Sequence, residues 1–123
     1  MPHCILEYSN NVVDQPDMKA LLLGVHRFLA STDEIDIAKI KSRAICHDDY
    51  VIGDGTGDQA FVTMNIYLLG GRDDQAKIEI SQGVLALLKR AYPQTLATKV
   101  CSITVQITDM HRQSYGKVVG RAS

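Results

Sequence analysis

Pro2 is the first residue whose type and position could do chemistry. A small residue after Met1 favours removal of the initiator methionine, and the product would begin with a secondary amine at the edge of a strand. An α-amino group titrates near ~8, and burial and nearby cations lower that value toward the pH at which a proton can be moved beside a carbonyl. A Met-Pro start also occurs in proteins that make no use of it, so the residue needs company. Arg72 follows Gly70-Gly71 at the expected start of a helix. Free backbone N–H groups and a guanidinium fork would both favour a carboxylate there, although an arginine at that place can equally be a plain surface residue. Lys41 and Arg43 share one face of an extended segment and could read a substrate carboxylate or face solvent.

Other polar residues offer less. The run Gly53-Asp54-Gly55-Thr56-Gly57-Asp58 lacks the Gly-Lys-Ser/Thr of a phosphate-binding loop. Asn65 stands where a calcium loop would need its closing glutamate, so a hairpin turn is the expectation. Cys46 and His47 are adjacent on a strand and point to opposite faces, which makes a poor dyad. His47-Asp48-Asp49 matches no known ligand spacing, so no metal site is expected. His26 and His111 read as surface or partly buried residues, and alternation turns His3 away from the Pro2 side. Cys4, Cys46 and Cys101 are odd in number and widely spaced, which argues against a disulfide framework. Each is expected to act as a small buried apolar residue.

The elements that must position Pro2, Lys41, Arg43 and Arg72 follow from periodicity. Residues 2–8 predict a strand and Asn10-Asn11 a turn. Asp14 to Asp17 open a helix striped by Met18, Leu21, Leu22, Val25 and Leu29, which Ser31 to Asp33 ends. Residues 37–47 predict a second strand, with Ile37, Lys39, Lys41 and Arg43 on one face. Residues 60–69 give the clearest strand, Val62, Met64, Ile66 and Leu68 alternating with Thr63, Asn65 and Tyr67. A helix striped by Ala76, Ile80, Val84, Leu87 and Leu88 follows, with Pro93 just past its end. Residues 99–109 predict a last strand, Cys101, Ile103, Val105 and Ile107 facing one way.

The order strand-helix-strand therefore occurs twice. The expectation is one α/β (α+β) domain over residues 1–123, with pseudo-repeats at about 2–57 and 58–111 and a polar C-terminal arm at 112–123. Right-handed crossovers make each half a parallel strand pair, giving a four-stranded sheet with two helices on one face. The other face then needs a cover, and a chain of 123 residues has nothing left to supply it, so further subunits are expected there.

Composition excludes some partners. The net charge of −1 gives no basic footprint for nucleic acid or an anionic membrane. No apolar run approaches the roughly 20 residues that span a bilayer. No signal peptide is visible after Met1, so the expected location is the cytoplasm.

Read together, several segments resemble one family. Met1-Pro2-His3 with Ile5 and Glu7 is similar to the opening of 5-carboxymethyl-2-hydroxymuconate isomerases. Ile40-Lys41-Ser42-Arg43 resembles that family's Ile-Arg-Ser-Arg stretch. Asp54-Gly55, Asp58, Ala60-Phe61-Val62 and Met64 resemble its next strand, and Gly71-Arg72 its glycine-arginine at the following helix. The spacings agree without gaps from Pro2 to Arg72; beyond that point the agreement is one of pattern.

The resemblance implies the tautomerase fold, a cytoplasmic homotrimer without cofactor, and an isomerase of aromatic catabolism. It implies a free Pro2 amine acting as general base and then acid on a small unsaturated 2-hydroxy or 2-oxo polycarboxylate. Arg72, Lys41 and Arg43 would hold carboxylate or carbonyl oxygens. Lys41 departs from the family's first arginine and loses bidentate geometry. Thr63 replaces a usual histidine, and the ending Lys117-Val118-Val119-Gly120-Arg121 lacks the usual asparagine. Other Pro2-dependent reactions on the same scaffold (hydration, dehalogenation, decarboxylation), a non-catalytic trimer that binds a small acid, and a dimeric ferredoxin-like module are the rival expectations.

Overall fold

In the computed structural model, which describes residues 1–32 and 35–121, the chain runs β1 (His3–Ser9), α1 (Met18–Ala30), β2 (Lys41–His47), β3 (Gln59–Leu69), α2 (Asp74–Ala91), α3 (Pro93–Thr98) and β4 (Val100–Met110). The four strands form one sheet in the order β2-β1-β3-β4. β1 pairs with β2 in parallel, β3 pairs with β4 in parallel, and β1 and β3 meet antiparallel. The two strand-helix-strand halves thus share one sheet.

Aspartates start both long helices. Asp17 accepts from the Ala20 N–H at 3.2 Å and Asp73 from the Ala76 N–H at 2.8 Å, each satisfying a first-turn donor with no helical partner. The apolar stripes then meet the sheet. Val25, Leu29, Ile80, Val84 and Leu88 from the helices pack on Cys4, Leu6, Val62, Met64 and Ile66 from the strands, all fully buried. The helices touch where Phe28 of α1 lies over Gly83 of α2. A Cβ at Gly83 would run into the Phe28 ring, so only glycine allows this approach.

The opposite face of the sheet has no helix. It carries His3, Ile5 and Glu7 from β1, in register with Lys41, Arg43 and Ile45 of β2 and with Tyr67, Asn65 and Thr63 of β3. Its contacts include polar ones: His47 Nε2 lies 2.9 Å from Glu7 Oε1, and Thr104 donates to Thr63 Oγ1 at 2.8 Å. The Thr63 departure therefore falls in the middle of the open face.

Pro93 lies just past the end of α2, as expected, and opens the further short helix α3, using proline's fitness for a first helical position. Three sequence expectations change. Residues 37–39 form a short 3-10 turn instead of strand, because Asp36 caps the Ala38 N–H at 3.0 Å and β2 starts only at Lys41. The Gly53–Asp58 run is not a hairpin: β1 lies between β2 and β3, so this loop crosses the end of the sheet. Cys46 is exposed, since β2 is an edge strand, whereas Cys4 is buried and Cys101 half-buried. The N–H of Ser31 bonds to the Arg27 carbonyl and closes α1; Asp33, expected to share that role, and the last two residues of the arm lie outside the described residues.

Among the described residues no helix is long and apolar enough to cross a membrane. Among the same residues, no three His, Cys, Asp or Glu side chains are grouped to hold a metal ion.

Candidate active site

Pro2 is buried just ahead of β1, and its carbonyl accepts from the Lys41 N–H at 3.0 Å as the parallel pairing with β2 begins. The amino group of Met1 donates to the Lys39 carbonyl at 2.6 Å. The capped 3-10 turn presents that carbonyl, so the local structure the sequence did not reveal is what fixes the N-terminus. Partial burial lowers the pKa of this amine below 8.0, and the charges of Lys41, Lys117 and Lys39 lower it further against an opposing pull from Asp36.

The amine opens onto a cleft of about 590 Å³ lined by Met1, Lys39, Asp36, Arg72, Arg112 and Lys117, with Leu69, Gly71 and Tyr115. Among the described residues cations dominate its wall, and Asp36 is the single acid lining it. The turn after β3 delivers Arg72. Gly71 has φ of 119°, a conformation other residues rarely adopt, and it swings the chain off the strand toward α2. The Arg72 guanidinium donates to the Leu69 carbonyl through Nη1 at 3.4 Å. Such a wall can hold carboxylates and stabilise negative charge that develops on a bound oxygen.

Of the four residues singled out from the sequence, Pro2 and Arg72 come to the same end of the sheet, and Arg72 lines the cleft into which the N-terminus opens. Lys41 lies in the adjoining groove with His3, Tyr115 and Lys117. Its charge still reaches the amine. Arg43 lies one pleat further along the open face, with Nη1 3.4 Å from His3 Nδ1, and lines neither space within one chain. Burial and then the Arg43 charge push the His3 pKa down, so His3 is neutral beside these cations at neutral pH.

Sequence reasoning missed Lys39, Arg112, Tyr115 and Lys117. The arm residues carry no periodicity, and the available signal was only that three basic residues, Arg112, Lys117 and Arg121, follow the last strand.

Comparison with known proteins shows the family and the fold. The family model described as 5-carboxymethyl-2-hydroxymuconate isomerase matches residues 2–118. The 5-carboxymethyl-2-hydroxymuconate Delta-isomerase of Escherichia coli is 27% identical over 111 residues, covering 90% of this chain and 88% of that protein. The crystal structure of a 5-carboxymethyl-2-hydroxymuconate isomerase from Deinococcus radiodurans R1 superposes with a TM-score of 0.87 at 24% identity, covering 97% of this chain and 90% of that one. A fused 4-OT wild-type symmetric trimer superposes at 0.65 with 18% identity, covering 98% and 94%. The match spans both strand-helix-strand halves and the cleft between them and the arm, and the chain belongs to the 5-carboxymethyl-2-hydroxymuconate isomerase family, an enzyme family on the tautomerase fold.

Proposed function

We propose that the chain, once Met1 is removed, uses the Pro2 amine to move a proton within a small unsaturated 2-hydroxy or 2-oxo polycarboxylate such as 5-carboxymethyl-2-hydroxymuconate. The observation that carries this reading is the place of the N-terminus: Pro2 is buried beside Met1, and Met1 lines a cleft walled by Arg72 and three further cationic side chains, where burial and then Lys41, Lys117 and Lys39 lower the pKa of an amine held there. The neutral amine takes the proton of the 2-hydroxyl group. The negative charge left on that oxygen is stabilised by a guanidinium or ammonium group and spreads through the diene to C5. The ammonium form of Pro2 then gives the proton to C5, and the 2-oxygen becomes a carbonyl. Nothing is oxidised or lost, so the step needs no co-reactant. Arg72 holds a carboxylate or the developing oxyanion, and Lys41 adds positive charge from the adjoining groove.

The same reading makes the helix-free face an interface between copies of the chain. The solved relative described as a symmetric trimer supports three. Arg43, on that open face, then belongs to a site shared between subunits. Light scattering tests the assembly: a mass three times the 13.6 kDa of one chain is expected, and a dimer contradicts it. Isomerisation of 2-hydroxymuconate, followed by loss of the dienol absorbance, tests the chemistry. Turnover that survives Arg72→Ala with unchanged KM would remove Arg72 from the account.

A further inference from the structure

We infer that the C-terminal arm is a specificity element of the same chain, in which Lys117 binds a second carboxylate of the substrate and Arg112 positions the arm to present it. This rests on the proposed function for the identity of the site. It goes beyond it in naming what distinguishes one acid from another.

The arm is held back on the body of the molecule by specific bonds. β4 ends at Met110, and the next residues form a 3-10 turn, Arg112–Ser114. His111 caps that turn by accepting from the Ser114 N–H at 3.2 Å, and the Tyr115 N–H bonds to the Arg112 carbonyl at 3.4 Å. Arg112 closes it down by donating to the Gly70 carbonyl through Nε at 3.1 Å and Nη2 at 2.8 Å. The arm is thereby anchored to the same turn that delivers Arg72. As a result, half-buried Tyr115 and exposed Lys117 line both the cleft that holds Met1 and Arg72 and the groove that holds His3 and Lys41.

Charge then decides the ligand class. Among the described residues the cleft gathers Met1 at the N-terminus, Lys39, Arg72, Arg112 and Lys117 against Asp36. The Arg112 fork is already committed to Gly70, and Lys39 lines only the cleft, whereas Lys117 lines both the cleft and the groove beside it. Lys117 has neither a hydrogen bond nor an ion pair among the described residues, and its charge acts on the amine. A monocarboxylate seated on Arg72 leaves that ammonium unanswered. A dicarboxylate that spans the cleft reaches Lys117 as well, and a rigid diene keeps its two ends apart at little entropic cost.

Two non-reacting acids separate the possibilities. Muconate and sorbate share one diene skeleton, and muconate carries a carboxylate where sorbate ends in a methyl group. Binding of each to the full chain is measured by titration calorimetry. Muconate is expected to bind about tenfold more tightly than sorbate, the loss of one charge-assisted contact. Lys117→Met should collapse that ratio to near one, and Lys117→Arg should keep it. Arg112→Met should reduce it as well, because the arm comes loose. Equal affinities in the unaltered chain, no binding of either acid, or a ratio that survives Lys117→Met would each overturn the proposal. A chain that prefers muconate but fails to isomerise 2-hydroxymuconate would keep the role of the arm and lose the proton transfer. A chain that isomerises without the preference would do the reverse.

Discussion

Arg112 grips the carbonyl oxygen of Gly70 with two N–H groups, Nε at 3.1 Å and Nη2 at 2.8 Å, and so ties the segment after the last strand to the turn that precedes Arg72. Gly70 in turn donates its N–H to the Met110 carbonyl at 3.1 Å. The end of β3, the end of β4 and the arm are therefore one connected wall of the cleft.

Arg112→Met should leave the fold in place, since the side chain is exposed. It should raise KM for a polycarboxylate by about tenfold, the worth of one charge-assisted contact, with a smaller effect on kcat. Steady-state kinetics beside a thermal melt check both halves; a lost melt with normal KM would make Arg112 a stability residue only.

The pH dependence of turnover follows from the cations around the amine. With Met1 in place, burial and then Lys41, Lys117 and Lys39 lower the pKa of the Met1 amine, and the Pro2 amine freed by removal of Met1 is expected to meet the same cations. The base works when neutral, so kcat/KM rises with pH through that pKa and levels off above it. Removing a cation weakens the depression. Lys41→Met should move the acid limb of the profile to higher pH, and a limb that stays put would show that Lys41 does not act on the base.

Close approach of the two long helices depends on Gly83. Alanine there would gain about 1 kcal/mol of helix propensity. The added methyl collides with the ring of Phe28, and overpacking of that kind costs about 1–3 kcal/mol. Gly83→Ala should therefore lower Tm despite the better helix former, and Gly83→Ala combined with Phe28→Leu should recover part of the loss. A raised Tm in the single variant would mean the helices slide apart freely.

Asp14 ties the start of the first crossover to α3. Its carboxylate accepts from the Thr95 N–H at 2.7 Å, the Thr95 hydroxyl at 2.8 Å and the Gln94 N–H at 3.2 Å. Burial alone would raise its pKa, but these bonds outweigh it and leave the pKa below 3.8. A depressed carboxylate pKa contributes stability that is present above 3.8 and lost as the pH falls through the lower folded value. Asp14→Ala should cost about 0.5–2 kcal/mol, as capping aspartates do, and should flatten the acid side of a stability-pH curve. An unchanged acid limb would contradict the assignment.

The sequence made the long elements plain because their burial is regular. Ala60, Val62, Met64, Ile66 and Leu68 are all buried and alternate with half-buried neighbours, so the period of β3 was readable directly. Val25 and Leu29, like Ile80, Val84 and Leu88, mark the helices just as clearly. What escaped was set by single capping bonds or by neighbours distant in sequence. The Asp36 cap converts residues 37–39 to a 3-10 turn, and α3 is a six-residue helix sustained by Asp14 some eighty positions away. The site was half legible. Pro2 and Arg72 carry recognisable chemistry, but Arg112 and Lys117 reach the cleft through a fold-back that no local pattern announces.

The central claim is that a free Pro2 amine moves the proton, and the direct test compares two forms of one chain. Intact mass identifies protein with Met1 removed and protein with Met1 retained, and kcat/KM for 2-hydroxymuconate is measured for each. The form beginning at Pro2 should be active, and the form retaining Met1, whose Pro2 nitrogen is an amide, should fall by about 10²–10⁴, the usual contribution of a general base. Equal activity of the two forms would contradict the account and move the base elsewhere in the cleft.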